Sequence, residues 1–306
     1  MGLLTHLRGL WGNLWWLPVT GAAAFLALMG ALGNLRPEIL VITLLAAGLA
    51  VWNRTTRSFL IAAAPGIVIG VGYEVIRYLR PILVTPERVL GCEIRTFERG
   101  FASIDGLTLP EYFATRHTDF FDVFFAVPYT AFWIVAVVYA LALFFIDRNR
   151  MNRYLWLLAL VHLVGFVVWM VWPAAPPWYI IQEGCRIDMS VAPNAAGLLR
   201  LDQLFGITYF HEFYSRAPTV FGAIPSIHCA FPIAGLLAAW RDVGWGWRLA
   251  HIGYAIWMFA ASVYLTHHWL VDGLLGMSIV FLAYFLVVRF FPSTARQPAG
   301  APDPAR

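Results

Sequence analysis

Residues 121–146 read FDVFFAVPYTAFWIVAVVYALALFFI, a run in which Asp122 is the only charged residue. About 20 apolar residues are enough to cross the hydrocarbon core of a bilayer as an α-helix. The run is continuously apolar and does not alternate between apolar and polar positions, as the strands of a membrane barrel do. Because lipid offers the backbone no hydrogen-bond partners, the run predicts a membrane-spanning helix.

Further apolar runs lie on both sides of this stretch, and the composition agrees with them. The chain is 60% hydrophobic and 12% charged, with a mean hydropathy of +0.71, whereas soluble domains carry about 25% charged residues. The sequence therefore predicts an all-α, polytopic membrane helix bundle of about eight transmembrane helices. The expected spans are residues 14–32, 37–53, 58–79, 121–146, 154–172, 225–240, 249–267 and 270–291.

These spans also predict how the chain is organised. We expect N-terminal transmembrane helices in residues 1–57 and a disordered tail in residues 292–306. Between them, residues 58–291 are expected to form a membrane core that includes two long outer segments, 80–120 and 173–224. Long connections of this kind are usually functional.

The distribution of arginine predicts the orientation. Eight spans place both termini on one side, and that side holds 11 of the 21 basic residues with only three acidic residues. The positive-inside rule makes that side cytoplasmic, so the two outer segments face the non-cytoplasmic side. Cys92 and Cys185 lie in these segments. They are expected to pair if both face an oxidising compartment, and two free thiols are the alternative.

Composition also excludes some classes of function. The net charge of +4 is dispersed between apolar runs, so the basic patch of a nucleic-acid-binding protein is missing. The three cysteines show no C-x-x-C spacing and no histidines at metal-ligand spacing, which argues against a structural zinc site.

Two motifs suggest chemistry, Pro225-Ser226-x-His228 and His268-x-x-x-Asp272. The helical hairpin between them is expected to return both to the non-cytoplasmic face. A four-residue spacing places His268 and Asp272 on one helix face. There the carboxylate fixes the imidazole tautomer and leaves the other nitrogen free as a nucleophile. His228 would supply a general acid, which contributes roughly 10²–10⁴-fold.

Residues beside these three have expected supporting roles. Pro225 is expected to be the first residue of a helix, whose free N–H groups bind anions, and the hydroxyl of Ser226 to contact a phosphate oxygen. His267 faces a different direction from its neighbour and is expected to have a structural or substrate-contact role. A lone intramembrane histidine is more often a packing residue, and we interpret His162 and His251 in that way.

The two motifs together resemble those of the type 2 phosphatidic acid phosphatase superfamily. Its members have a six-helix membrane core, use no metal or cofactor, and form a phosphohistidine intermediate. The resemblance implies His268 as nucleophile, Asp272 as its orienting partner and His228 as the acid for the leaving group. A narrower resemblance, to the inositol phosphorylceramide synthase (aureobasidin-resistance) family, covers about residues 115–285. It rests on PAAPPWY at 173–179, GLLRLD at 197–202, LFGI at 204–207, FGAIPSIH at 221–228 and YLTHHWLVD at 264–272.

That family moves a phosphoinositol headgroup from phosphatidylinositol to ceramide. The resemblance thus implies a lipid phosphotransferase with a lipid donor and a lipid alcohol acceptor. Two basic residues of the superfamily pattern are missing, since Tyr73 stands in place of its lysine and Ser262 in place of an arginine. Phosphate must then be neutralised by other residues. The residues expected to bind or support the phosphate are Arg80, Arg200, Arg216, Tyr264 and His267.

Two other functions remain as alternatives. A lipid phosphate phosphatase would use the same histidines, with water resolving the intermediate. A transporter or scaffold is disfavoured, because transporters usually show broken midplane helices or inverted repeats, and the sequence shows neither. The sequence identifies neither the acceptor lipid nor the oligomeric state.

Overall fold

The computed structural model describes residues 2–292, which divide between Ala64 and Pro65, after the first residue of the helix Ala64–Leu83, into two compact units. The expected tail, residues 292–306, lies outside the described residues except for Pro292.

The first unit contains helices α1 (Leu3–Trp11), α2 (Leu17–Ala31), α3 (Pro37–Trp52) and α4 (Arg54–Ala62). Helix α1 is held against α3 by side-chain hydrogen bonds to the backbone. Trp11 Nε1 donates to Ala50 O at 2.8 Å, and His6 Nε2 lies 2.8 Å from Val51 O. Asn53 caps α4 by accepting from the backbone N–H of Thr56, so a polar turn separates the last two helices.

The second unit contains, in chain order, α5 (Ala64–Leu83), α6 (Cys92–Arg99), β1 (Ser103–Ile104), β2 (Leu107–Thr108), α7 (Leu109–Thr115), α8 (Asp119–Ile146), α9 (Arg148–Val171), α10 (Pro177–Glu183), α11 (Leu199–Phe205), α12 (Tyr209–Ser215), α13 (Ile227–Ala239), α14 (Trp245–Tyr264) and α15 (Leu270–Phe290). The long helices of this unit are α5, α8, α9, α13, α14 and α15. The short elements lie in the two outer segments, where strands β1 and β2 pair as an antiparallel hairpin.

Helix α13 lies at the centre of the bundle and packs against α8, α9, α14 and α15. Every residue of 229–239 is buried, and six of these eleven are alanine, glycine or cysteine. Small side chains allow neighbouring helix backbones to approach closely. The first turn of α13, which carries His228, is thus fixed by contacts with four other helices.

The predicted membrane helix bundle is confirmed. By length and composition, α8, α9 and α15 can each cross a membrane, and two pairs of consecutive helices bring the total to as many as five. Helices α3 and α13 are apolar but shorter. Each of the eight expected spans contains a helix. Eight crossings remain a prediction.

The bundle is anchored at the end opposite the two histidine motifs. Arg153 of α9 is 1% exposed and donates to the carbonyl oxygens of Ala238, Phe291 and Pro292 at 2.8–3.3 Å. Its guanidinium also pairs with Asp242. A buried arginine is stable only when its donors are satisfied, and these acceptors join α9 to the C-terminal ends of α13 and α15.

The two outer segments are joined covalently. Cys92 and Cys185 form a disulfide with a Cα–Cα distance of 5.5 Å. Backbone hydrogen bonds add to it, because Leu90 N donates to Pro173 O at 2.8 Å and Ala175 N donates to Leu90 O at 2.7 Å. Of the two alternatives for Cys92 and Cys185, a disulfide or two free thiols, the structure contains the disulfide.

Candidate active site

The two histidine motifs converge as expected. His228 Nδ1 lies 3.2 Å from His268 Nε2, so one of these nitrogens carries a proton that the other accepts. His268 is only 6% exposed. An imidazole nucleophile candidate and an imidazole acid candidate are thus in direct contact, and a phosphate group would have to take the place of this contact to reach both nitrogens.

The other nitrogen of His268 is held by two oxygens. His268 Nδ1 lies 3.0 Å from Ala223 O and 3.4 Å from Asp272 Oδ2. Both contacts place the proton on Nδ1, which leaves the Nε2 lone pair facing His228. Sequence reasoning identified Asp272 and missed Ala223, whose contribution is a backbone oxygen and leaves no sequence signal.

A tight turn between α14 and α15 presents His268. The backbone N–H groups of His267 and His268 both donate to Ser262 O at 3.1 Å, and Thr266 takes a positive φ of 59°. Ser262 itself is fully buried, and its hydroxyl donates to Phe259 O at 2.8 Å. The residue that replaces the superfamily arginine therefore shapes this turn and does not face a substrate.

The first turn of α15 is locked to the first turn of α13. Asp272 Oδ2 accepts from Trp269 N at 2.8 Å, and Asp272 O accepts from Ser226 N at 2.9 Å. A Cβ on Gly276 would lie 2.1 Å from Ser226 O. Only glycine permits this close approach, which brings Asp272 beside the start of α13.

The prediction for Pro225 is wrong by two residues. Helix α13 begins at Ile227, with Ser226 as its N-cap. Serine is favoured as the N-cap because its hydroxyl accepts a hydrogen bond from the backbone N–H of Cys229, here at 3.3 Å. Ser226 is fully buried, so its hydroxyl supports the helix end, while the unpaired N–H groups of the first helical turn begin at Ile227.

An aromatic stack that sequence reasoning missed surrounds the histidines. The ring of Tyr129 stacks on His228 at 4.2 Å and on His267 at 4.7 Å, and Tyr214 packs on His267 at 4.9 Å. The Tyr129 hydroxyl lies 3.2 Å from His228 Nδ1. Tyr129 follows Asp122 by seven residues, or two helical turns, and this polar stripe on an apolar helix is the signal that could have found it.

Arg200 is held beside the turn that carries the histidines. Its Nη2 lies 2.9 Å from Asp122 Oδ1, and its guanidinium lies over the ring of Tyr264. Tyr264 donates to the same carboxylate at 2.9 Å. Gly197, three residues before Arg200, donates its N–H to Leu265 O at 2.9 Å. These contacts place Arg200 and Tyr264 next to the 265–269 turn.

The other two arginine candidates lie at the end of α5 and directly after α12. Arg80 lies in the last turn of α5, and among the described residues its Nε has no hydrogen-bond partner. Arg216 follows α12, is exposed, and accepts a hydrogen bond at its carbonyl oxygen from Arg77 at 2.9 Å. Tyr73, in place of the superfamily lysine, packs against the rings of His162 and Phe166.

Within residues 2–292, no group of three or more His, Cys, Asp or Glu side chains is arranged to hold a metal ion. The side chains gathered at this site are the imidazoles of His228 and His268, the carboxylate of Asp272 and the hydroxyl of Tyr129.

Comparisons with known proteins agree with the geometry. A model of the PAP2 superfamily matches residues 106–286. The chain is 32% identical over 273 residues, or 86% of its length, to a phosphoinositol dihydroceramide synthase of Bacteroides thetaiotaomicron, and covers 87% of that protein. It is 31% identical over 186 residues to the inositol phosphorylceramide synthase catalytic subunit of Saccharomyces cerevisiae, covering 58% of this chain and 45% of the yeast protein. No solved structure matches the chain.

Proposed function

Because the chain belongs to the PAP2 superfamily, we propose that it is a membrane enzyme that transfers a phosphoinositol headgroup from a phospholipid to the hydroxyl of a ceramide-like lipid. The observation that carries this proposal is the 3.2 Å contact between His228 Nδ1 and His268 Nε2, with His268 Nδ1 held by Ala223 O and Asp272. The substrate class is taken from the relatives, which are synthases of inositol-containing sphingolipids by name.

In the first step, His268 Nε2 attacks the phosphorus of the donor phosphodiester. The bond from phosphorus to the diacylglycerol oxygen breaks, and His228 gives that oxygen a proton. The product is diacylglycerol, and the phosphoinositol group is attached to His268. Asp272 stabilises the imidazole in the orientation that directs Nε2 at the phosphorus.

In the second step, the acceptor lipid's hydroxyl oxygen attacks the same phosphorus. His228, neutral after the first step, takes the hydroxyl proton, and the bond from phosphorus to Nε2 breaks. Arg200 lies near enough to the 265–269 turn to stabilise negative charge on the phosphate oxygens. The enzyme returns to its starting protonation, and a phosphoinositol lipid is released.

Burial of the nucleophile favours transfer over hydrolysis. His268 is 6% exposed and His267 is 7% exposed, and the rings of Tyr129 and Tyr214 pack over His267. A site closed in this way limits the access of water to a reactive intermediate. A lipid hydroxyl entering from the membrane is then the better-placed acceptor.

We also propose that the site faces the non-cytoplasmic side and that both termini are cytoplasmic. The Cys92–Cys185 disulfide lies in the outer segments, and the helix that begins at Cys92 contacts the first turn of α15, next to His268, through Glu98. Disulfides persist in oxidising compartments, whereas the arginine-rich loops belong to the cytoplasmic side. Modification of single introduced cysteines by an impermeant reagent in intact cells tests this orientation.

The function is tested by reconstituting the protein in vesicles that contain phosphatidylinositol and dihydroceramide. We expect the wild-type protein to form an inositol phosphosphingolipid and diacylglycerol, and His268→Ala to form neither. A donor labelled at phosphorus should leave an acid-labile label on the wild-type protein and none on His268→Ala. His251→Ala is the control, because His251 contacts Tyr139 far from the site.

Full activity of His268→Ala would contradict the proposal. Release of free inositol phosphate, unchanged by added dihydroceramide, would instead identify the enzyme as a hydrolase.

A further inference from the structure

Helix α6 carries a carboxylate that points into the protein. Glu98, in the last turn of this short outer helix, is 0% exposed. Its Oε1 accepts a hydrogen bond from Val271 N at 2.8 Å. Val271 belongs to the first turn of α15, immediately before Asp272, although Glu98 is 173 residues away along the chain.

This contact caps one of the free backbone N–H groups at the start of α15. The first N–H groups of a helix have no acceptor within the helix, and a buried N–H left without a partner is costly. In α15, Trp269 N donates to Asp272 Oδ2 and Val271 N donates to Glu98 Oε1. Two carboxylates therefore share the capping, one from within the turn and one from α6.

We propose that Glu98 is a positioning residue, which caps the first turn of α15 from outside and thereby keeps Asp272 in contact with His268. Asp272 Oδ2 lies at the longer limit of contact with His268 Nδ1, 3.4 Å. A small rotation of the first turn of α15 would break that contact. The inference rests on the proposed function, since it concerns the activation of the same nucleophile.

Helix α6 is held firmly enough to act in this way. Its first residue, Cys92, is bonded to Cys185, and two of its arginines pair with Glu111 of α7. Arg95 lies 2.5 Å and Arg99 lies 3.2 Å from the Glu111 carboxylate. The carboxylate of Glu98 is thus presented by a helix that is attached at both ends.

The charge of Glu98 is not needed for the cap. Burial, with a smaller contribution from the nearby Asp272 carboxylate, raises the pKa of Glu98 to about 7, although hydrogen bonds from the Val271 and Leu270 backbone act in the opposite direction. A protonated carboxyl group still has an oxygen that accepts from Val271 N. Glutamine keeps this oxygen and the shape of the side chain, whereas alanine removes the acceptor.

The test compares Glu98→Ala and Glu98→Gln with the wild-type protein in the vesicle assay. We expect Glu98→Ala to lower kcat by about 10- to 100-fold, as small misplacements of a reacting group do, with little change in KM for phosphatidylinositol. Glu98→Gln should restore most of kcat. Glu93→Ala is the matched control, because Glu93 is on the same helix and accepts from Gly91 N at 2.9 Å, away from the site.

Hydrogen exchange provides a measurement that needs no substrate. The amides of residues 269–273 should exchange faster in Glu98→Ala than in the wild-type protein or Glu98→Gln. If Glu98→Ala does not remain monodisperse in detergent, Glu98→Asp replaces it, because the shorter side chain withdraws the oxygen from Val271 N.

If Glu98→Ala, or Glu98→Asp in its place, has the same kcat as the wild-type protein, the inference is wrong. A Glu98→Gln variant as slow as Glu98→Ala, or unchanged exchange in residues 269–273, would also overturn it. A wild-type protein that transfers no headgroup contradicts the proposed function, whereas the exchange measurement still decides whether Glu98 caps α15.

Discussion

Replacing Tyr129 with phenylalanine removes one hydroxyl from the centre of the site and leaves the packing in place. The phenylalanine ring keeps the stacking on His228 and His267, at 4.2 and 4.7 Å. What is lost is the 3.2 Å contact between the hydroxyl and His228 Nδ1, together with a side-chain hydrogen bond between Tyr129 and Tyr214. A neutral hydrogen bond contributes about 1 kcal/mol, so if it orients His228 in the transition state, kcat should fall about fivefold.

The assay is steady-state headgroup transfer in vesicles, with kcat and KM measured separately, and with the thermal midpoint recorded in detergent. Because the hydroxyl contacts His228 and is not proposed to contact the headgroup of the lipid donor, KM for phosphatidylinositol should change little. Tyr139→Phe is the matched control. Tyr139 lies on α8, as Tyr129 does, and the substitution removes a hydroxyl that is 3.5 Å from His251 Nε2, away from the site.

Two outcomes would refute the orienting role of Tyr129. An unchanged kcat would mean that the hydroxyl does not influence His228 during the reaction. A fall of more than about 100-fold exceeds what one neutral hydrogen bond supplies, and would mean that Tyr129 transfers a proton itself.

Two further predictions concern stability. Gly276→Ala should destabilise the protein by about 1–3 kcal/mol and lower its activity, because the new Cβ would collide with Ser226 O. Gly253 has open space around it, so Gly253→Ala should change neither the thermal midpoint nor headgroup transfer. Glu98 has a pKa of about 7 in the fold against an ordinary 4.5, so the folded state holds this proton more tightly and the free energy of unfolding falls as pH rises from about 4.5 to about 7. Glu98→Gln should remove this loss of stability, which is on the order of 3 kcal/mol. The thermal midpoint of Glu98→Gln should therefore exceed that of the wild-type protein at pH 8 and match it near pH 5. Equal midpoints at both pH values would contradict this prediction.

The prediction of an enzyme that acts on lipids within the membrane is confirmed by the family match and the relatives. The roles of His228, His268 and Asp272 in chemistry, and those of the arginines around them, stay predictions. Among the arginines, the structure favours Arg200, because Asp122 and Tyr264 hold it beside the 265–269 turn.

The sequence by itself determined the membrane helices and the two motifs. Both are local properties: a helix crosses lipid because of the apolar residues within one run, and His268 and Asp272 share a face because they are four residues apart. Local rules also govern the start of α13, where the hydroxyl of Ser226 caps the helix and Pro225 lies just outside it.

Only the tertiary structure decided which groups surround the histidines. Ala223 contributes a carbonyl oxygen that any residue has, and Glu98 lies 173 residues from the amide that it accepts from. Asp122 and Tyr129 come from α8, and meet α14 and α13 because those helices pack together. Such contacts depend on how helices pack in three dimensions, and the spacing of residues along one chain segment carries no record of a partner that arrives from another.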